Sequence, residues 1–376
     1  MVRLTDIVPF PWDAESNAFF AALASALLPA LGYTEETPFF CSPKGAYCIH
    51  CGGCGESATL QKHHLSLYHD YQTLTGVSLG WVWPEQGDVA WQTIEGGGPG
   101  WDWPDEFLAL IMRAAGLTWR RLSGNMTELE IYQAVEASLE KGFPVLARLE
   151  KGTNWQLITG CADGVLGGLA PFGRQLGDVS RLGDEADTYW MPDWYVRFED
   201  ALVITGRCPV TVTLEEILTR LIHTLEHPAH ERLERHLMCR LEQVTAANAL
   251  ETAEWLNQVA SFPIEARWHA AEAFCSPVST IQRLTPNRDL QQKLSDLFFY
   301  SYIADNHEET HGVCWKIWGL LGVGPETGFA LGNQAAQNVQ QPDVREELKR
   351  LFAIVFARDR QVLAGLRDIL SSLGAS

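Results

Sequence analysis

The sequence predicts an α+β chain in which a mixed α/β region (1–208) is followed by an all-α region (209–376). Three observations carry this expectation. Short apolar runs at 144–149, 156–162 and 165–169, broken by glycines, have the length and β-branching of strands. From about residue 209 the pattern changes to helical periodicity, beginning at the capping sequence Thr213-Leu214-Glu215-Glu216. A chain of 376 residues that is 46% hydrophobic has enough apolar material for two domain cores.

In chain order, residues 16–31 form an apolar helix closed by Gly32, a residue suited to a left-handed C-cap. A Cys/Gly-rich loop covers 41–55, a helix 58–73, and a Trp/Gly-rich structured loop 75–103. Helices follow at 104–115 and 128–141. The second opens on Thr127-Glu128-Leu129-Glu130, where the Thr and Glu side chains satisfy each other's orphan backbone donors. A further strand is expected at 201–206. The helical half then reads as segments 214–226, 229–246, 248–260, 265–275, 287–304, 307–320 and 344–372, the last capped by Asp343.

Charge narrows the function. Lys and Arg number 28 against 47 Asp and Glu, a net of −19, which argues against nucleic acid and against anionic membranes as partners. The imbalance is concentrated early: residues 1–112 carry only Arg3, Lys44 and Lys62 against thirteen acids, which favours a cationic partner. The apolar stretch 19–31 is too short for a bilayer and follows Asp6, Asp13 and Glu15 instead of a basic leader. With nine cysteines, an odd number, reduced thiols in a cytoplasmic protein are expected.

The order of the first region carries a resemblance. A helix ending in Leu31-Gly32-Tyr33 precedes Gly142-Phe143-Pro144-Val145-Leu146 and then Trp155-Gln156-Leu157-Ile158-Thr159-Gly160-Cys161-Ala162-Asp163-Gly164. Over about residues 10–206 this resembles the papain-like domain of the bacteriocin-leader peptidases and of proteins similar to butirosin biosynthesis protein H. Their pattern runs G-x-P-V, then H-W-x-x-x-x-G-Y-D. The resemblance implies a papain-like cysteine-peptidase fold for 1–208 and, through the butirosin-type relatives, acyl transfer from a thioester to an amine. It also implies a nucleophilic Cys at the start of the first helix and a His before the Trp. Here those places read Glu15-Ser16-Asn17-Ala18 and Asn154, and no His occurs between His69 and His223. The residue that should orient the His falls near Ala170-Pro171. Without thiolate or imidazole the family mechanism has neither nucleophile nor base, and Ser16 reads as a helix N-cap.

Other chemistry is denser. Cys41, Cys48, Cys51 and Cys54 lie within 14 residues, the CxxC spacing by which Gly-rich turns converge sulfurs on tetrahedral Zn. The alternatives are a metal-free packed loop, a redox disulfide or iron–sulfur site, or a relocated catalytic thiol, Cys48 or Cys51, paired with His63, His64 or His69. Trp81, Trp83, Trp91, Trp101 and Trp103, interleaved with acids, suit a cationic or sugar-like ligand through cation–π contact and stacking, with Asn154 and Trp155 as further lining. His307-Glu308-Glu309-Thr310-His311 matches H-E-x-x-H literally, yet its charged neighbours read as a solvated helix face. His223, His227, His230 and His236 read as a helix–turn–helix surface. Leu348, Leu351, Ile354, Val355 and Phe356 form an amphipathic stripe that serves either a core or a homodimer interface.

Together these readings predict a catalytically degenerate papain-like protein that binds a small cationic or amine-bearing ligand or a peptide, as an accessory to biosynthesis or processing. The alternatives are a thiol acyltransferase or amide hydrolase using Cys41–Cys54, and a Zn-binding structural or interaction protein.

Overall fold

The structure, a computed structural model, describes residues 1–4, 7, 18–39, 59–80, 105–149, 155–169, 188–260, 264–303, 312–324 and 331–374. The chain divides into two compact units. One comprises Met1–Phe40, His50–Tyr71 and Gln92–Val212, and the other Cys41–Ile49, Gln72–Trp91 and Thr213–Ser376. Residues 72–80 therefore pack with the helices and not with the sheet.

The first unit is mixed α and β. Its elements are β1 (Val2–Arg3), α1 (Ala18–Leu31), α2 (Thr59–Leu74, the last turn counting with the second unit), α3 (Asp105–Ala115), β2 (Leu117–Ser123), α4 (Glu128–Glu140), β3 (Val145–Arg148), β4 (Gln156–Ala162), β5 (Val165–Leu169), β6 (Thr188–Met191), α5 (Trp194–Arg197) and β7 (Asp200–Arg207). All strand pairs are antiparallel, in the order β2-β7-β3-β4-β5-β6, with β1 added to β4. Side chains alternate across the sheet. Val145, Ala147, Ile158, Leu166, Ala201 and Val203 form one buried face with Ile131, Val135 and Leu139 of α4. The register partners Leu146, Leu157 and Leu202 are buried as well, and α1 packs against β3 and β4.

The helix ends follow local chemistry. α1 closes as a Schellman motif, with Gly32 at φ 78°, Tyr33 N–H donating to Leu28 O (2.9 Å) and Gly32 N–H to Pro29 O (3.0 Å). The box at Thr127 is complete: Glu130 N–H donates to Thr127 Oγ1 (3.3 Å) and Thr127 N–H to Glu130 Oε2 (2.8 Å). Three strands were not anticipated, namely β1, β2 and β6. β2 carries Arg120 and Arg121 and no apolar run, and its conformation comes from pairing with β7 along its whole length.

The second unit is helical: a 3₁₀ turn (Val77–Leu79), then α6 (Leu214–Leu225), α7 (Ala229–Glu242), α8 (Ala249–Val259), α9 (Glu265–Cys275), α10 (Thr280–Leu284), α11 (Arg288–Tyr302), α12 (Gly312–Leu321), α13 (Asn333–Gln340) and α14 (Pro342–Leu373). Leu237, Leu256, Ile317, Leu321 and Phe352 centre its core. The amphipathic stripe of α14 belongs to this core: Leu348, Leu351, Val355 and Phe356 are buried in it and Ile354 packs against it, so these side chains are spent within the unit and not on a homodimer face. α14 also begins two residues earlier than expected. Pro342 takes the first helical position, where its fixed φ suits the helix and its missing N–H costs nothing, so Asp343 sits in the first turn and Gln341 precedes the helix. The short α10 and α13 were not anticipated. No helix among the described residues is long and apolar enough to cross a membrane.

The turn at 76–80 is fitted to this unit. Gly76 has φ 83°, and a Cβ there would lie 2.6 Å from Thr224 Oγ1, so no other residue is accommodated without movement. Arg220 Nε donates to Thr75 O at 2.8 Å.

Candidate functional site

Most of the residues singled out by sequence fall outside the described residues: Cys41, Cys48, Cys51, Cys54, Trp81, Trp83, Trp91, Trp101, Trp103 and Asn154, together with the 307–311 motif. His63 and Trp155 are described. Among the described residues no group of three or more His, Cys, Asp or Glu side chains is arranged to hold a metal ion.

His63 lies in the second turn of α2, a helix that is unusually polar for its burial: His63, His64, His69 and Asp70 are each at most 2% exposed. The His63 ring is oriented from three sides. Nε2 lies 3.1 Å from Thr37 O, and a ring nitrogen facing a carbonyl oxygen must be the N–H donor. That places a proton on Nε2. Tyr33 lies against the ring at 4.4 Å between centroids, and Phe39 meets it edge-on at 5.2 Å. The carbonyl is itself held by a tight turn, in which Thr37 N–H donates to Thr34 O (3.0 Å) and Thr34 N–H to Thr37 Oγ1 (2.9 Å). The result is a buried imidazole whose Nε2 donates to a backbone carbonyl and whose plane is fixed, an orientation that general bases and metal-ligating histidines share.

Trp155, read as further lining of a ligand site, is a buried indole. It is 1% exposed, with Phe19 of α1 edge-on at 5.2 Å and the Arg148 guanidinium 5.8 Å from the ring centroid. That places the Arg148 guanidinium within cation–π range of the indole. Arg148 is fixed in turn by its cross-strand partner: Arg148 Nε reaches Asp200 Oδ1 (3.2 Å) and Glu199 Oε2 (2.8 Å), while Arg121 Nη2 takes Asp200 Oδ2 (2.6 Å) and Arg121 Nη1 approaches Asp105 Oδ1 (3.3 Å). Cys161, within the segment that carries the resemblance, is buried on the α4 face, and burial pushes its thiol up, away from the thiolate a nucleophile requires.

The helical unit contains a polar network that sequence reasoning missed. Arg267 on α9 grips Asp359 on α14 through Nε (2.9 Å to Oδ1) and Nη2 (2.6 Å to Oδ2), with both side chains nearly sealed from solvent. Arg267 Nη2 also donates to Leu79 O (3.2 Å), and Tyr302 of α11 donates its hydroxyl to Asp359 Oδ1 (2.7 Å). His230, in the first turn of α7, brings Nδ1 to 3.9 Å from Asp359 Oδ2. Burial and the neighbouring Arg267 charge lower its pKa to about 4, so it is neutral at pH 7. Burial beside the Asp359 carboxylate holds the Tyr302 hydroxyl protonated, well above the ordinary tyrosine range. The surface reading thus holds for the exposed His223 and His227 but not for His230. The missed signal was available: Asp359 stands on the apolar stripe of α14, between Phe356 and Val362 at helical spacing.

Comparison with protein-family models, with curated proteins and with solved structures found no match to this chain.

Proposed function

We propose that the chain is a binding protein on a papain-like α/β domain that lacks the cysteine–histidine pair of that class, and that it holds a small cationic or amine-bearing ligand or a peptide beside biosynthetic or peptide-processing partners. The supporting observation is the packing of Phe19, in the first turn of α1, against Trp155 at the head of β4. In the class the chain resembles, the nucleophile precedes such a helix turn and the base precedes such a tryptophan. In this chain the corresponding sequence is Glu15-Ser16-Asn17 and Asn154. A serine without an imidazole is a poor nucleophile, and an amide has no basic nitrogen, so proton transfer is lost while hydrogen bonding is kept. The excess of acids over residues 1–112 supports a cationic occupant.

Thermal-shift and calorimetric titration of the full chain with spermidine, an aminoglycoside and a Lys/Arg-rich peptide tests this, with a Glu-rich peptide as control. Saturation at a hundredfold excess over Kd adds about 2.7 kcal/mol of stability, which raises the melting temperature measurably. The expected result is a salt-sensitive rise with at least one cationic probe and none with the acidic peptide. Silence with every cationic probe sinks the reading.

A second reading, thiol-dependent acyl transfer or amide hydrolysis through the Cys41–Cys54 segment, is favoured by the buried, oriented ring of His63. Under it, iodoacetamide treatment abolishes aminolysis of a simple acyl thioester. Under the binding reading no such turnover exists to be lost.

A further inference from the structure

We propose that the outer edge of β6 is a strand-addition site for a basic extended peptide, with Trp190 as the platform for one of its Lys or Arg side chains. β6 ends the sheet and, among the described residues, pairs with β5 alone. An edge strand turns every second N–H and C=O outward, where an added strand can pair with them. Soluble proteins commonly blunt such an edge with Lys or Pro. Thr188-Tyr189-Trp190-Met191 contains neither.

Trp190 has a prepared seat on this strand. Its partner in β5 is Gly167, and the partner of Gly167 in β4 is Gly160. A Cβ at Gly167 would lie 2.9 Å from the indole Cε3, and one at Gly160 3.1 Å from Cη2. The ring therefore lies across two strands on a floor without side chains. Neither glycine has a positive φ, so the space they leave, and not their backbone conformation, calls for glycine. With one face on that floor Trp190 is still only half-buried, whereas Trp155 and Trp194 are at most 1% exposed. The uncovered part of the indole offers a π surface to a side chain from a neighbouring strand.

Charge selects the occupant. From residue 182 to 193 the sequence holds Asp184, Glu185, Asp187 and Asp193 and no Lys or Arg. Asp193 is shared with Arg197 of α5 (3.1 Å). Arg3, whose Cγ lies 3.7 Å from the Cβ position at Gly160, stands at the β4 end of the seat, two strands in from the edge. The opposite edge of the sheet, β2, carries Arg120 and Arg121. An edge flanked by acids suits a basic strand, and the arginine-bearing edge disfavours the same strand. The inference deepens the proposed function and rests on its cationic occupant being a peptide.

Calorimetric titration of the full chain with three probes tests the site: a peptide alternating Lys and Thr, the same peptide N-methylated at every backbone amide, and spermidine. The plain peptide should bind about tenfold or more tightly than its N-methylated form, which keeps the charge and loses every backbone donor. Trp190→Leu should weaken the plain peptide by about fivefold to tenfold. Residue-resolved hydrogen exchange with the plain peptide bound should raise protection by about tenfold or more at outward amides of Thr188–Met191 and leave Leu117–Ser123 of β2 unchanged. Equal affinity for the two peptides, full affinity in Trp190→Leu, or protection gained at β2 in place of β6 overturns the strand-addition site and leaves cationic binding standing. Binding of spermidine with none of the plain peptide does the same, whereas silence with all three probes overturns both. Should Trp190→Leu fail to fold, the exchange pattern of the wild type decides.

Discussion

Each unit sets an aspartate against arginine, and the two arrangements differ in what surrounds the charges. In the sheet unit the Asp200 carboxylate is buried, but its partners reach toward water, with Arg121 25% and Arg148 12% exposed, and each arginine has a second acid to turn to. In the helical unit both members are sealed, Arg267 at 2% and Asp359 at 3%, and their further ligands include a carbonyl and a hydroxyl, which carry no net charge. The first is a cross-strand pair that clamps β3 to β7 and covers the face of Trp155. The second is a dry junction of α9, α11, α14 and the 3₁₀ turn. A solvated pair can lose one partner and be repaired by water, whereas a sealed pair cannot, because the remaining charge faces a medium that does not stabilise it.

That contrast is open to direct attack. The largest effect is expected from Asp359→Asn, which leaves the Arg267 charge buried without its carboxylate and should cost about 3–5 kcal/mol in urea unfolding. A loss below about 1 kcal/mol would show that the junction is far better hydrated than its exposure implies. Next comes acid. Folding depresses the His230 pKa from 6.5 to about 4, so the unfolded chain binds a proton the folded chain refuses. The stabilisation from keeping His230 neutral is complete above pH 6.5 and falls away as the pH drops toward 4. At 1.36 kcal/mol per pKa unit it amounts to about 3 kcal/mol. The difference in unfolding free energy between wild type and His230→Gln, followed from pH 7 to 4, should shrink by that amount. The smallest effect is expected at Asp200→Asn, about 1–2 kcal/mol, because Arg121 keeps Asp105 and Arg148 keeps Glu199. If Asp200→Asn proves as costly as Asp359→Asn, the sheet cluster behaves as a sealed pair and the distinction between the units collapses.

Sequence reasoning found what is local. The β3, β4 and β5 strands were legible as short apolar runs, because each is buried on both faces and needs no polar alternation. Thr127 with Glu130 and Gly32 after α1 were legible because caps are made within a few residues of chain. What it missed was non-local. β2 is a strand because β7 lies beside it, and its arginines gave no apolar signature. The contacts of Trp155 with Phe19 and Arg148 were not legible either, because nothing in its neighbourhood along the chain shows them. His230 sat in sequence beside the exposed His223 and His227, and the packing of α7 on α14 sets it apart from them.

The order of residues alone therefore determined the division into a strand-bearing and a helical region, the acidic bias of the first 112 residues, and the absence of a cysteine and histidine at the positions the resemblance requires. Tertiary structure alone decided that His63 Nε2 faces the Thr37 carbonyl, that the α14 stripe is core, and that Asp359, Arg267, Tyr302 and His230 meet. The physical reason is range. Propensity, capping and charge composition act over a few bonds or in aggregate, whereas the pairing of buried charges depends on which distant elements exclude water from the same point.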